Sequence, residues 1–299
     1  MAAPSKHATT ALAPPAAAPR APRVPRKLYR EVIVGGLKTA CLSRAQMMAL
    51  MVKDCLAARE DSRRRPKLVF ASNGHVVSLA AFDAEFRRLN EFADMIHADG
   101  QPVVLASKLT AAPIPERSAT TDFFHDAALA ARENGLAFFM LGATEDVNAN
   151  CASKMLEMYP GLRIVGRRNG YFSRDAEAAI CDEINASGAD VVWVGLGVPL
   201  EHSFCVRNKH RLRVGWIVTA GGCFNYVTGD YARAPGWMQR LGLEWLHRLC
   251  HEPKRLFWRY AITNPHALFL LLTRTAPAKT GPIVADIGSQ GSLLQPKAG

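Results

Sequence analysis

The sequence predicts an α/β protein: a Rossmann-like, mostly parallel sheet with helices on both faces, followed by a C-terminal helical, membrane-associating appendage. Three observations predict it. Short β-rich runs alternate with helical stretches between residues 30 and 222, and most of those runs end in glycine or a small polar residue. After Pro235 the pattern gives way to aromatic, basic, helix-forming sequence. Repeated strand–glycine–helix units imply crossover connections, hence parallel strands covered on both sides.

The elements follow in order. Residues 30–34 read as a strand, and 44–58 as a helix with apolar residues at helical spacing. Residues 67–71 form a strand ending in Ser72-Asn73-Gly74, and 82–90 are helical. The stretch 92–96 leads to Ala98-Asp99-Gly100, and 103–106 is a short apolar run. A helix at 121–134 precedes a strand at 136–141 closed by Gly142. Then come a helix (147–158), a strand (163–165), a helix (174–186), and a strand (191–195) ending at Gly197. A helix follows Pro199, and 214–218 is a strand ending at Gly221-Gly222. In open parallel sheets ligands sit outside the carboxyl ends of the strands. That rule places Asn73, Asp99, Gly142, Gly197 and Gly221 on one rim.

The flanks differ from this body. Residues 1–27 are rich in Ala and Pro, carry Arg20, Arg23, Arg26 and Lys27, and contain no acid. They read as a disordered basic tail, or alternatively as a basic arm toward anionic lipid. Residues 28–235 form the Rossmann-like domain, 236–277 the appendage, and 278–299 a second disordered tail. The appendage interleaves Trp237, Trp245, Leu246, Leu249, Phe257, Trp258 and Tyr260 with Arg and Lys, which suits a membrane-surface element or aromatics packed on the core. Pro265 and the short apolar run 267–272 favour lying on a bilayer over crossing it.

Bulk properties bound the function. With 37 Lys and Arg against 26 Asp and Glu, net charge is +11. A basic surplus points to phosphate, nucleic acid or an anionic membrane. The seven cysteines are scattered without a C-x-x-C pair, as expected of reduced thiols rather than a disulfide framework. No apolar stretch reaches the roughly 18–20 residues of a membrane span, and the N-terminus lacks the apolar region of a secretory signal. The expected location is cytoplasmic, peripheral at the inner face of the membrane.

Several patterns could carry chemistry. Gly142-Ala143-Thr144 before a helix, and Gly195-Leu196-Gly197 before Pro199, could each present amides to a phosphate, or simply allow tight strand-to-helix turns. Gly195 and Gly197 lack the third glycine of a dinucleotide fingerprint, because position 200 is Leu. Asp99 on the rim could act as a general base with Gly100 letting substrate approach, or could be an Asp-Gly turn. His247 and His251 are spaced as a metal face or as part of an interface. There is no D-x-D, and no metal site is expected.

The order of these pieces resembles a known family. Ser72-Asn73, Ala98-Asp99-Gly100, Glu116-Arg117, Leu141-Gly142, Gly170-Tyr171-Phe172, Gly195-Leu196-Gly197-x-Pro199, Gly221-Gly222, Arg233-Ala234-Pro235 and the block from Leu243 through Glu252-Pro253-x-Arg255 are similar to the WecG/TagA/CpsF glycosyltransferases, glycosyltransferase family 26. The likeness runs from about Val32 to Arg259. It implies inverting, metal-independent transfer from a UDP-sugar to an undecaprenyl-diphosphate-linked glycan in surface or exopolysaccharide biosynthesis. It implies Asp99 as base, with Ser72 and Asn73 lining its pocket. Gly142, Gly195, Gly197, Pro199, Glu201, Gly221 and Gly222 would hold the donor, and Arg233, Arg248, Arg255 and Arg259 would neutralise the diphosphates. One departure stands out. The family usually reads Gly-x-Pro-Lys-Gln-Glu where this chain has Gly197-Val198-Pro199-Leu200-Glu201-His202. The expectation is altered donor choice, with lost activity as the alternative.

Two other classes compete. A nicotinamide-dependent oxidoreductase needs an acidic ribose contact about 20 residues beyond a complete fingerprint, and no fingerprint is complete here. A nucleic-acid-binding protein would share the charge but show a recognition motif, which is absent, so no nucleic-acid partner is expected. The sugar, the acceptor glycan, the pathway and formation of a homo-oligomer stay open.

Overall fold

The computed structural model describes residues 28–276, so the expected tails at 1–27 and 278–299 lie outside the described residues. The chain opens with a hairpin of β1 (Glu31–Val34) and β2 (Leu37–Ala40), turned by Gly35-Gly36, both at positive φ. Sequence patterning shows only the first of these strands. Helix α1 (Arg44–Glu60) starts from a Ser43/Gln46 capping box. There follow β3 (Lys67–Ser72), α2 (Gly74–Phe82), α3 (Ala84–Glu91), β4 (Met95–Ala98), α4 (Gln101–Ser107) and α5 (Thr120–Asn134). Next are β5 (Ala137–Gly142), α6 (Glu145–Met158), β6 (Arg163–Arg168), a single 3₁₀ turn, α7 (Glu177–Ser187), β7 (Val191–Gly195), α8 (Leu200–Asn208) and β8 (Trp216–Thr219). The chain continues through α9 (Cys223–Thr228), α10 (Gly236–Arg240), α11 (Glu244–His251) and α12 (Pro253–Thr273).

Strands β3 to β8 form one parallel six-stranded sheet in the order β4-β3-β8-β7-β5-β6. Strands β5 and β7 are buried at every residue, which is why both read as unbroken apolar runs. Alternate side chains enter opposite cores. Phe138, Met140, Trp193 and Trp216 pack with α1, α5 and α6 on one face. Phe139, Leu141, Val192 and Ile217 pack with α7 and α8 on the other. Strand β3 crosses outward to β4 and β5 outward to β6, while β7 and β8 fill the middle. A crevice at the carboxyl rim is the expected consequence of that reversal.

Two departures from the sequence reading bear on the site. Helix α2, Gly-His-Val-Val-Ser-Leu-Ala-Ala-Phe, is apolar nearly all round, so it has no periodic signal, and the short run at 103–106 belongs to α4. The C-terminal helices are also not a body apart. Leu270 and Leu271 of α12 share a buried cluster with Val32, Val34, Val77 and Val103, from the hairpin, α2 and α4. Beyond α12 the chain reaches the hairpin again, where Ile33 and Ala276 exchange both backbone hydrogen bonds. The boundary at 235–236 therefore marks a change of sequence character across which the core is continuous.

Candidate active site

The site begins where β3 and β4 end. The amides of Asp99 and Gly100 both donate to the Ser72 carbonyl, at 2.9 and 3.1 Å, turning the chain inward. The Asp99 carboxylate accepts at Oδ1 from the Thr120 amide (2.7 Å) and hydroxyl (3.1 Å), and at Oδ2 from Asn73 Nδ2 (3.0 Å). Asn73 does two jobs, because its Oδ1 also caps α2 by accepting from the Val76 amide. Gly100 leaves room for this arrangement: a Cβ there would stand 3.1 Å from both Cα and Cβ of Asn73. Burial alone would raise the Asp99 carboxyl, but the Arg117 charge and the hydrogen bonds from Asn73 and Thr120 outweigh it and hold the group below its usual range.

A cavity of about 180 Å³ opens beside this carboxylate, between the rim and the C-terminal helices. Asn73, Asp99, Arg117, Tyr226, Arg233, Arg248 and Arg259 line it. Arg117 donates to the Asp99 carbonyl at 2.6 Å and pairs with Glu244 of α11. Arg233 pairs with Asp122 at 2.9 Å and bonds Gln239, so its charge is largely answered. Arg248 and Arg259 differ. Arg248 lies over the rings of Tyr226 and Tyr231, and Arg259 over Tyr260. Among the described residues neither forms an ion pair, and the buried Nε of each lacks a hydrogen-bond partner. Burial, with repulsion from Arg248 and Arg255, lowers the Arg259 pKa. His75, also lining the cavity, is pushed down to about 4 by burial and by Arg259 and is neutral at physiological pH. A partly buried pair of unanswered cations is a standing demand for an anion.

Other sequence-predicted residues fall elsewhere. Ser72 is fully buried with its hydroxyl unpartnered and does not line the cavity. Arg255 stacks on Tyr231 and pairs with Glu252 outside the lining. Both expected phosphate cradles have amides already engaged. At α6 the Thr144 hydroxyl accepts from the Val147 amide, and the first turn carries Glu145 and Asp146, which disfavour an anion. At α8, which Pro199 caps, Glu201 Oε2 accepts from the amides of Gly197 (3.1 Å) and Gly221 (3.0 Å). Gly142 serves backbone packing: a Cβ there would fall 2.2 Å from the Gly195 carbonyl oxygen. A Cβ on Gly222 would press on the Tyr231 ring. Gly197 and Gly221, both at positive φ, alone among these glycines have open space beside Cα.

The departing pair Glu201-His202 turns inward. Burial, with the nearby Asp99 charge adding, pushes the Glu201 carboxyl up to about 8 against the opposing amide hydrogen bonds. His202 lies between Phe70 and Phe86 with neither ring nitrogen bonded, and burial pushes it down to about 3. Neither side chain lines the cavity.

His251 Nδ1 faces the His247 carbonyl at 2.9 Å, and among the described residues no group of three His, Cys, Asp or Glu side chains could hold a metal ion. Trp237, Phe257, Trp258, Leu268, Phe269 and Leu272 are exposed on the C-terminal helices. No described helix is long and apolar enough to cross a membrane. Sequence reasoning missed Thr120, Tyr226, His75 and Glu244 as site residues. Arg117 stood in a quoted motif without a role, because only its reach to Asp99 shows one.

The model of the glycosyl transferase WecG/TagA/CpsF family matches residues 32–280. An N-acetylglucosaminyldiphosphoundecaprenol N-acetyl-beta-D-mannosaminyltransferase of Bacillus subtilis is 29% identical over 208 residues, spanning 70% of this chain and 80% of the relative. The protein of the same name from Bacillus spizizenii is 35% identical over 173 residues, spanning 58% of this chain and 66% of that one.

Proposed function

The chain belongs to the WecG/TagA/CpsF glycosyltransferase family, and from that premise we propose that it moves a sugar from a UDP-sugar to a polyprenyl-diphosphate-linked glycan, with inversion and without a metal ion. Membership sets aside the oxidoreductase alternative. The observation that carries the proposal is one cavity lined by an ionised, half-buried carboxylate, Asp99, and by two unanswered cations, Arg248 and Arg259.

In this reading the acceptor hydroxyl hydrogen-bonds Asp99. Its oxygen attacks the anomeric carbon as the bond from that carbon to the UDP oxygen breaks. One displacement inverts the centre. The hydroxyl proton passes to Asp99 late, when bonding to carbon has made it acidic, so a carboxylate held low still serves as base. Asn73 and Thr120 fix the carboxylate, and Arg117 holds the backbone beneath it. Arg233, Arg248 and Arg259 form a cationic wall that offsets diphosphate charge as the substrates meet and as UDP leaves. The donor lies over the open faces of Gly197 and Gly221. Glu201 holds those two turns together from behind. The exposed aromatic and aliphatic residues of α10 to α12 rest on the cytoplasmic membrane, where a lipid-linked acceptor resides and a surface polymer or exopolysaccharide is begun.

The relatives' names make UDP-N-acetylmannosamine and an N-acetylglucosaminyl-diphospholipid the first pair to try. A panel of UDP-sugars, offered with a short-chain acceptor in EDTA, should give transfer by the unaltered protein and far slower transfer by Asp99→Asn. Undiminished activity of Asp99→Asn removes the base, and a strict requirement for added divalent metal removes the cationic wall.

A further inference from the structure

A second cavity adjoins the polar one. It measures about 560 Å³ and runs between α11 and α12, with Gly74 of α2 and Pro102 of α4 also in its lining. No charged side chain lines it; Leu249, Phe257, Ala261 and Leu268 are characteristic. The two cavities adjoin: Gly74, Pro102, Trp245, Tyr260 and Asn264 line both. Arg259 lines the polar side, while Phe257 and Ala261 of the same helix line the apolar one.

We infer that this groove is the subsite for the isoprenoid chain of the acceptor, seating the units next to the diphosphate. The inference rests on the functional reading above and goes beyond it, because that reading requires only that the lipid remain in the bilayer. Adjacency identifies the occupant. A molecule filling both cavities must be anionic at one end and wholly apolar at the other over adjoining atoms, which is the chemistry of a prenyl diphosphate. The volume falls in the range of ligand sites, roughly 300–1,000 Å³. Phe257 and Leu268 are exposed as well as lining, so the groove opens on the same apolar surface that faces the membrane. The chain can then pass from bilayer to site without crossing water. Seating it fixes the distance of the acceptor sugar from Asp99, which a freely mobile lipid would not do.

The test uses N-acetylglucosaminyl-diphosphate acceptors bearing geranyl, farnesyl and geranylgeranyl chains, below their aggregation concentrations and without vesicles. For the full-length protein, KM should fall along the series at constant kcat. Ala261→Trp fills the groove from an exposed helical position, and Leu268→Gln makes its wall polar. Each should raise KM for the geranylgeranyl acceptor by about tenfold, the loss expected from a few unburied methylenes. The geranyl acceptor, which fills only the part of the groove beside the diphosphate, should lose less than the geranylgeranyl one, and kcat should change little, with unaltered thermal melting as the folding control. A KM indifferent to chain length, or equal effects of Ala261→Trp on all acceptors, overturns the groove assignment and leaves the functional reading standing. A change in oligomeric state by light scattering without a change in length dependence assigns the groove to a second copy and likewise overturns it. Failure of the unaltered protein to glycosylate any of the three overturns the functional reading and the groove with it.

Discussion

Asp99 is half-buried, yet its carboxyl lies below the ordinary range. Desolvation opposes the charge, and Arg117, Asn73 and Thr120 restore it. The sign of the pH dependence follows. Charge on Asp99 is complete above the ordinary carboxylate range and is lost only as pH falls through its depressed value, so the acid limb of kcat should lie below that range. Asn73→Ala removes one hydrogen bond to the carboxylate and the cap of α2. It should move the acid limb upward and cost about 1 kcal/mol in urea unfolding. Asp99→Asn should lower kcat by roughly 10²–10⁴; a smaller drop would assign deprotonation to solvent. Arg248 and Arg259 make a separate case, since cations without ion pairs weaken the empty protein. Inorganic pyrophosphate should raise the melting temperature of the unaltered protein and have no such effect on Arg248→Ala/Arg259→Ala. The doubly substituted protein, free of ligand, should melt no lower than the original.

Among the elements, α8 shows how a helix N-terminus can be filled from within. Glu201 in its first turn takes the amides of the turns after β7 and β8, joining the two halves of the rim. Its carboxyl is pushed up to about 8 from an ordinary 4.5. Its contribution to stability is therefore complete below the ordinary value and lost as pH rises toward 8. Glu201→Gln keeps an oxygen for both amides and should flatten the melting temperature across that alkaline window. His202, one residue on, has the opposite sign. Its neutral ring stabilises above the ordinary 6.5, and that stability drains away as pH falls toward about 3. His202→Phe, seated between Phe70 and Phe86, should remove this acid sensitivity with activity retained. Helix α12 is held by a different means. Leu270, at 1% exposure, joins it to the hairpin, α2 and α4, and Leu270→Ala should cost about 2–5 kcal/mol in urea unfolding.

At the scale of the whole molecule, a core on each face of the sheet and a third around α12 support two surfaces of different character. The carboxyl rim gathers charge, and the outer faces of α10 to α12 gather exposed apolar rings. Because α12 shares its core with the hairpin, deleting everything after Pro235 would expose buried leucines and report on folding before it reported on membrane attachment. Point changes are cleaner. Phe257→Ser with Trp258→Ser, both at exposed positions, should weaken co-sedimentation with anionic vesicles while leaving the melting temperature unchanged. The residual attraction of a chain with net charge +11 should vanish as salt is raised past a few Debye lengths of screening.

The sheet was legible because its strands are buried on both faces. Continuous apolar runs such as Val191–Gly195, closed by glycine, have few other readings in a chain that alternates them with helices. The rim positions of Asn73 and Asp99 followed from the same alternation. Helix α2 and the second strand of the hairpin escaped because one is apolar on nearly every side and the other, Leu-Lys-Thr-Ala, holds a single β-branched residue. The site divided along a similar line. Residue order along the chain nominated Asp99, Arg233, Arg248 and Arg259, but it also nominated Arg255, Ser72 and Glu201, which lie outside the cavity lining. Direction is the missing quantity. A side chain's reach depends on which neighbour has already satisfied it, and Arg117 under Asp99, Glu201 behind two glycine turns and Arg259 without an acid are all settled by contacts between residues far apart in sequence. The sequence by itself determined the layered sheet, its rim and the basic aromatic C-terminus, because burial and backbone conformation leave local, periodic marks. Only the tertiary structure decided which charges are answered and which are left facing the cavity, because neutralisation is a property of pairs that meet only once the chain has folded.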